Sequence, residues 1–92
     1  FTKVRYRSAV DGLEIPAYRF APLAPAGARA RPALVWVHGG VHGSWDESYL
    51  PFVLEAVARG YVVICPEYRG STGYGAAHYN AIDYGGREVD DV

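Results

Sequence analysis

The stretch Leu34-Val35-Trp36-Val37-His38-Gly39-Gly40 is an apolar run that ends abruptly in a histidine and two glycines. The residues from Ala33 to Val37 read as a buried strand, because β-branched and aromatic side chains pack well on a pleated surface. A buried strand that stops at two glycines leaves backbone N–H groups able to face a ligand, since no Cβ blocks the approach. Such amides are what an oxyanion-binding turn needs.

Toward the C-terminus a glycine-rich loop leads to Leu50, Val53, Leu54 and Val57, the i, i+3, i+4, i+7 spacing of a helix with one buried face. Pro51 suits its first turn, and Gly60 suits a left-handed C-terminal cap. Tyr61-Val62-Val63-Ile64-Cys65 follows as a second β-branched run. Strand, helix and strand in that order make a right-handed crossover between parallel strands. Parallel strands need cover on both faces, so the fold class is α/β.

Toward the N-terminus, Val4 to Ala9 and Leu13 to Phe20 are two extended stretches joined by Val10-Asp11-Gly12. Asp-Gly between β-type segments signals a hairpin. Pro16 interrupts the second stretch, which predicts an edge strand or a bulge and a peripheral hairpin. The proline- and alanine-rich segment from Ala21 to Pro32 shows no amphipathic period and reads as an exposed connection. It is not a domain boundary, because neither side of it is long enough to build its own core.

The chain has 92 residues, with nine Lys plus Arg against ten Asp plus Glu, for a formal charge of −1. That balance gives no electrostatic ground for nucleic acid or an anionic membrane as partner. No apolar run approaches the roughly 20 residues of a transmembrane helix, and the N-terminus lacks a signal peptide's apolar stretch. Cys65 is the single cysteine, so no intrachain disulfide forms, and it reads as a small buried strand residue. Localisation stays open.

Beyond the second strand, Pro66-Glu67-Tyr68-Arg69-Gly70-Ser71-Thr72-Gly73-Tyr74-Gly75 forms a long loop at the strand's C-terminal end. Ligands of open α/β sheets bind at such ends, which puts this loop and His38-Gly39-Gly40 on one functional edge. Tyr68, Tyr74 and Tyr79 either line a pocket or pack. Ala76 to Tyr84 reads as a short helix that Gly85-Gly86 ends, and Arg87 to Val92 as the first turns of another. Arg69 with Asp90 or Asp91 forms either a structural ion pair that ties the loop to that helix or solvated charges.

Several chemistries fail on spacing. A Gly-x-Ser-x-Gly elbow is absent: Ser71 has Arg69 two residues before it, Ser44 has Asp46 two residues after it, and Ser8 and Ser48 have no glycine at either position. His38 and His42 are four apart, but Gly39-Gly40 between them disfavours the helix a zinc pair needs, the motif's glutamate is missing, and His78 is remote. His42 and His78 read as exposed. Gly70, Gly73 and Gly75 reverse the dinucleotide fingerprint, and Tyr74 would crowd a pyrophosphate. No cofactor and no metal is expected.

His38-Gly39-Gly40, Arg59-Gly60-Tyr61-Val62-Val63, Tyr68-Arg69-Gly70-Ser71-Thr72-Gly73-Tyr74-Gly75 and Gly85-Gly86-Arg87-Glu88-Val89-Asp90-Asp91-Val92, in that order, resemble the catalytic domain of the prolyl oligopeptidase family. The resemblance covers essentially the whole chain and is nearest to the acylaminoacyl-peptidase and dipeptidyl-peptidase-like branches. It implies that residues 1–92 are the N-terminal part of an α/β-hydrolase domain, a β-hairpin followed by parallel β-α-β, truncated before the nucleophile elbow. It implies a serine hydrolase that cleaves peptides or acyl-peptides through an acyl-enzyme.

On that resemblance the Gly40 amide, with Gly39 beside it, supplies the first half of the oxyanion hole. His38 shapes the loop, with a substrate contact as the lesser role. The attacking serine, the acid and the catalytic histidine lie beyond Val92, so the 92 residues by themselves are expected to be inactive and poorly stable. The implied partners are the substrate, the remainder of the hydrolase domain and, ahead of the hairpin, a β-propeller domain. Two alternatives stand beside this reading: an esterase or dienelactone-hydrolase-like enzyme on the same fold, and a non-catalytic hydrolase-fold binding module.

Overall fold

A computed structural model describes residues 1–23 and 30–92. Part of the expected Ala21–Pro32 connection thus lies outside the described residues. Strands β1 (Thr2–Arg7), β2 (Glu14–Phe20), β3 (Ala33–Val35) and β4 (Val62–Pro66) form one mixed sheet in the order β1-β2-β4-β3. The crossover helix α1 spans Leu50–Ala58 and follows a single 3₁₀ turn at Glu47–Tyr49. Two short helices, α2 (Ala76–Asn80) and α3 (Arg87–Asp90), come after β4.

The expected parallel pair is present, with Leu34 opposite Val63 and Val35 opposite Ile64. β3 ends two residues short of the predicted Val37, although the Trp36 N–H still donates to the Ile64 carbonyl at 2.8 Å. Leu34, Trp36, Val63 and Cys65 face α1, which answers with Val53 and Ala56. Leu54 points outward and is about half exposed, because Ala56 occupies the core-facing position one turn beyond Val53. Pro51 sits in the first turn of α1, and Gly60 takes a φ of +94° just past its end.

β1 and β2 pair antiparallel as a hairpin, with Arg5 opposite Pro16. The hairpin is not peripheral, since β2 also pairs with β4 and is an interior strand. Pro16 is tolerated there because its missing N–H falls where the β2–β4 ladder ends. Its carbonyl accepts from Glu67 N–H at 2.8 Å, and the Glu67 carbonyl, which a residue with an N–H would have engaged, accepts instead from His78 Nε2 at 3.0 Å.

Cys65 is fully buried, and burial together with the nearby Glu67 charge pushes its thiol up to about 12, as an unreactive strand cysteine requires. The predicted helix over Ala76–Tyr84 stops at Asn80.

Candidate functional site

The end of β3 and the loop after β4 meet at one edge of the sheet. Gly40 takes a φ of +66°, a left-handed conformation that turns the chain sharply after His38 and Gly39. Among the described residues, none accepts a hydrogen bond from the N–H of Gly39 or Gly40. Both residues are exposed, and a Cβ at either would meet nothing within 4 Å. The exposed turn therefore carries two backbone donors without an acceptor among the described residues.

Residues 67–72 hold this turn from behind. The Tyr68 hydroxyl lies 3.0 Å from the His38 carbonyl and 2.9 Å from the Gly40 carbonyl, and its ring stacks on the His38 imidazole at 4.4 Å. Ser71 Oγ lies 2.8 Å from His38 Nε2. The Thr72 N–H donates to the Gly43 carbonyl at 2.8 Å. Gly43 is needed for close approach, because a Cβ there would stand 2.7 Å from the Gly39 carbonyl oxygen. Glu67 Oε1 accepts from the Trp45 N–H at 2.6 Å and stands 3.9 Å from His38 Nε2.

Burial pushes the Glu67 carboxyl upward, against the opposing pull of the Trp45 N–H and of the His38, Tyr74 and Lys3 side chains. Serine, histidine and glutamate thus come together, yet not as a nucleophilic triad. Glu67 and Ser71 approach the same imidazole nitrogen, whereas an orienting acid must hold the nitrogen opposite the hydroxyl. Ser71 is also fully buried, out of reach of a substrate. The other imidazole nitrogen, Nδ1, is 3.2 Å from the Gly39 carbonyl, an acceptor, so the ring braces the turn.

Arg69 locks the loop to its surroundings. Its guanidinium pairs bidentately with Asp91, through Nε to Oδ2 at 2.8 Å and Nη2 to Oδ1 at 2.9 Å, and its backbone N–H reaches Asp91 Oδ2 at 3.0 Å. The sequence left Asp90 and Asp91 open; Asp91 is buried and Asp90 exposed. A second bidentate pair, to Asp11 of the hairpin loop at 2.8 and 2.9 Å, has no sequence signal, because 58 positions separate the partners. These hydrogen bonds hold Asp11 far below the usual carboxylate range; for Asp91, burial raises the pKa, but the Arg69 bonds outweigh it and leave it lowered.

His78 is buried, contrary to the expectation of exposure. Its Nε2 donates to the carbonyls of Glu67 and Tyr68, both at 3.0 Å, and secures the loop to α2. His42 is exposed as expected, but its ring stacks on Tyr79 at 3.6 Å. An apolar groove of about 400 Å³ runs beside the turn, lined by Val37, Val41, Tyr68, Glu88, Val89 and Val92.

The prolyl oligopeptidase family model matches residues 42–92, more than half of the chain and all of the bracing loop. The chain belongs to the prolyl oligopeptidase family. It is 34% identical over 84 residues to the uncharacterized peptidase YuxL of Bacillus subtilis, covering 89% of this chain and 13% of that protein. It is 31% identical over 83 residues to the human acylamino-acid-releasing enzyme, covering 88% and 11% respectively. A puromycin-hydrolyzing peptidase of Mycobacterium tuberculosis superposes with a TM-score of 0.85 at 32% identity, over 98% of this chain and 15% of that one.

The chain thus spans between 11 and 15% of the length of these relatives. The fold is the α/β-hydrolase fold of the family's peptidases. His38, Gly39 and Gly40 fall just before the family-model match but inside the structural superposition, which takes in nearly the whole chain.

Proposed function

We propose that this chain is the N-terminal part of the catalytic domain of a serine hydrolase that cleaves peptides or acyl-peptides through an acyl-enzyme. The Gly40 N–H, with that of Gly39 beside it, contributes the first half of the oxyanion hole. The observation that carries the reading is the exposed left-handed turn whose two amides have no acceptor among the described residues and whose back is braced by the loop in the family's matched region. Preorganised amides of this kind stabilise negative charge as it develops on a carbonyl oxygen, and do so without reorganising during the reaction.

His38 shapes the turn rather than acting as base, since Ser71, Tyr68 and Glu67 occupy the space around its ring. The attacking serine, its histidine and its acid are supplied by the rest of the hydrolase domain, beyond the 92 residues, so residues 1–92 by themselves are inactive. The substrate class follows the relatives named as peptidases and acylamino-acid-releasing enzymes, and a propeller domain is a further partner of the hairpin end.

The test is made on the full-length protein. A fluorophosphonate probe is expected to label one serine, and aminoacyl- or acylaminoacyl-nitroanilides to be hydrolysed in preference to short-chain nitrophenyl esters. Preference for the esters supports the esterase alternative, and absence of labelling supports a non-catalytic module.

A further inference from the structure

The loop from His38 to Trp45 carries the two free amides, and one side chain reaches both of its ends. Glu67 Oε1 accepts from the N–H of Trp45 at the far end at 2.6 Å and faces His38 Nε2 at the near end at 3.9 Å. The far end is anchored independently, because the Trp45 ring packs on Tyr18 and Phe20, each with a centroid separation of 5.1 Å. Between these points the loop is held on the 67–72 side by the Tyr68 hydroxyl, by the Thr72 N–H and by His42 Nδ1, which donates to the Gly70 carbonyl at 2.9 Å. Glu67 is 1% exposed, an unfavourable place for a carboxylate without a role.

We propose that Glu67 is a positioning residue for the Gly39–Gly40 turn: its carboxylate bonds the loop's far end through the Trp45 N–H, stands 3.9 Å from the His38 ring at the near end, and by this clamp sets where the two amides aim. The inference rests on the peptidase reading for its catalytic consequence and on geometry alone for the clamp. The groups facing this carboxylate are His38 at the end of β3, Trp45 N–H in the loop, Lys3 of β1 and Tyr74 ahead of α2, with Cys65 of β4 and Tyr68 alongside. Lys3 lies 2.5 Å from the Tyr74 hydroxyl, and the Lys3 charge and the Tyr74 hydroxyl each favour the ionised form of Glu67 from the sheet side.

A charge-assisted bond to an amide is roughly twice as strong as a neutral one, so Glu67→Gln weakens the clamp while it keeps the side chain's size and an acceptor for Trp45. A small displacement of groups aimed at a transition state lowers turnover by about 10- to 100-fold without affecting ground-state binding in proportion. In the full-length protein, E67Q is therefore expected to lower kcat by about 10-fold with KM within about twofold. Its affinity for a peptide boronate, which places a tetrahedral oxygen on the turn, is expected to fall in parallel with kcat. Hydrogen exchange should accelerate in the 38–45 peptide and not in α1.

The melting temperature of E67Q should not fall at neutral pH, because the variant removes a buried charge, and this separates positioning from simple support of the fold. Unchanged kcat, unchanged exchange, or a loss of activity matched by a drop in melting temperature overturns the proposal. If the wild-type protein carries no fluorophosphonate-reactive serine, the peptidase reading fails and the catalytic consequence fails with it. The exchange measurement then still decides the clamp.

Discussion

Gly40 and Gly43 stand three residues apart and need their missing side chains for different reasons. At Gly40 there is room for a Cβ, but φ is +66°, so alanine there strains the backbone by about 1 kcal/mol and rotates the amide that faces outward. At Gly43 the added Cβ would collide with the Gly39 carbonyl, and the turn itself has to move. Gly40→Ala in the full-length protein is expected to cost a few degrees of melting temperature but on the order of 100-fold in kcat, the loss typical of one oxyanion donor. A kcat within a factor of three of wild type would remove Gly40 from the oxyanion hole. Tyr68→Phe tests the brace: it leaves the His38 and Gly40 carbonyls without their hydroxyl donor, for a loss of about 1–2 kcal/mol in a denaturant titration.

Among the elements, Arg69 is the point at which the hairpin loop, the loop after β4 and α3 are joined. Removing one partner of a buried, hydrogen-bonded pair leaves the other charge stranded, so Asp91→Asn or Arg69→Met is expected to destabilise the fold by about 3–5 kcal/mol. Asp11→Asn removes a partner whose side chain is 31% exposed and should cost clearly less. The pH dependence has a definite sign. Asp11 and Asp91 bind protons more weakly folded than unfolded, so the stability they contribute is complete above the ordinary aspartate value of about 4 and drains away as pH falls below it. Glu67 runs the other way: its folded pKa is raised, so stability declines as pH climbs from the ordinary glutamate value through the folded one. Thermal melts between about pH 3 and pH 8 should show a steep acid limb that flattens in Asp91→Asn. An acid limb of equal slope in that variant would show that the pair is not what titrates.

The same elements mark what the sequence could convey. Periodicity around Leu50–Val57, the β-branched runs and the Asp-Gly turn are local signals, and the β-hairpin and the βαβ unit followed from them. An ion pair from Arg69 to Asp90 or Asp91 was legible as one of two readings, because the loop and the helix after it are near in sequence; which aspartate it takes was not. The interior place of β2 was not, since Pro16 carries no mark that a histidine on α2 would take up the carbonyl it leaves without a donor. Nor was the burial of His78, which read as exposed, or that of Glu67 and Ser71, on which the sequence carried no signal; each gains a partner only when the loop folds back onto the His38 turn.

On the scale of the whole molecule, the sheet ends at β3, whose outer edge has no neighbouring strand among the described residues. The face turned away from α1 is partly bare there, with Val35 54% and Val37 47% exposed, and the groove beside Val37 is lined by Val41, Val89 and Val92. An unpaired strand edge flanked by an apolar face templates association with whatever strand it meets. In the relatives, which are several times longer, the remainder of the domain is available to cover it; in the 92-residue polypeptide made by itself, another copy is the nearest cover. That polypeptide is expected to elute as dimers and larger species, to bind a dye specific for exposed apolar surface, and to show no labelling by a fluorophosphonate. Replacing both valines, as Val35→Lys with Val37→Lys, puts charge on the bare face and should shift the elution toward monomer without altering the far-ultraviolet circular dichroism, because neither side chain faces α1. A wild-type polypeptide that runs as a dye-silent monomer would mean that the β3 edge is protected by some means other than a partner strand.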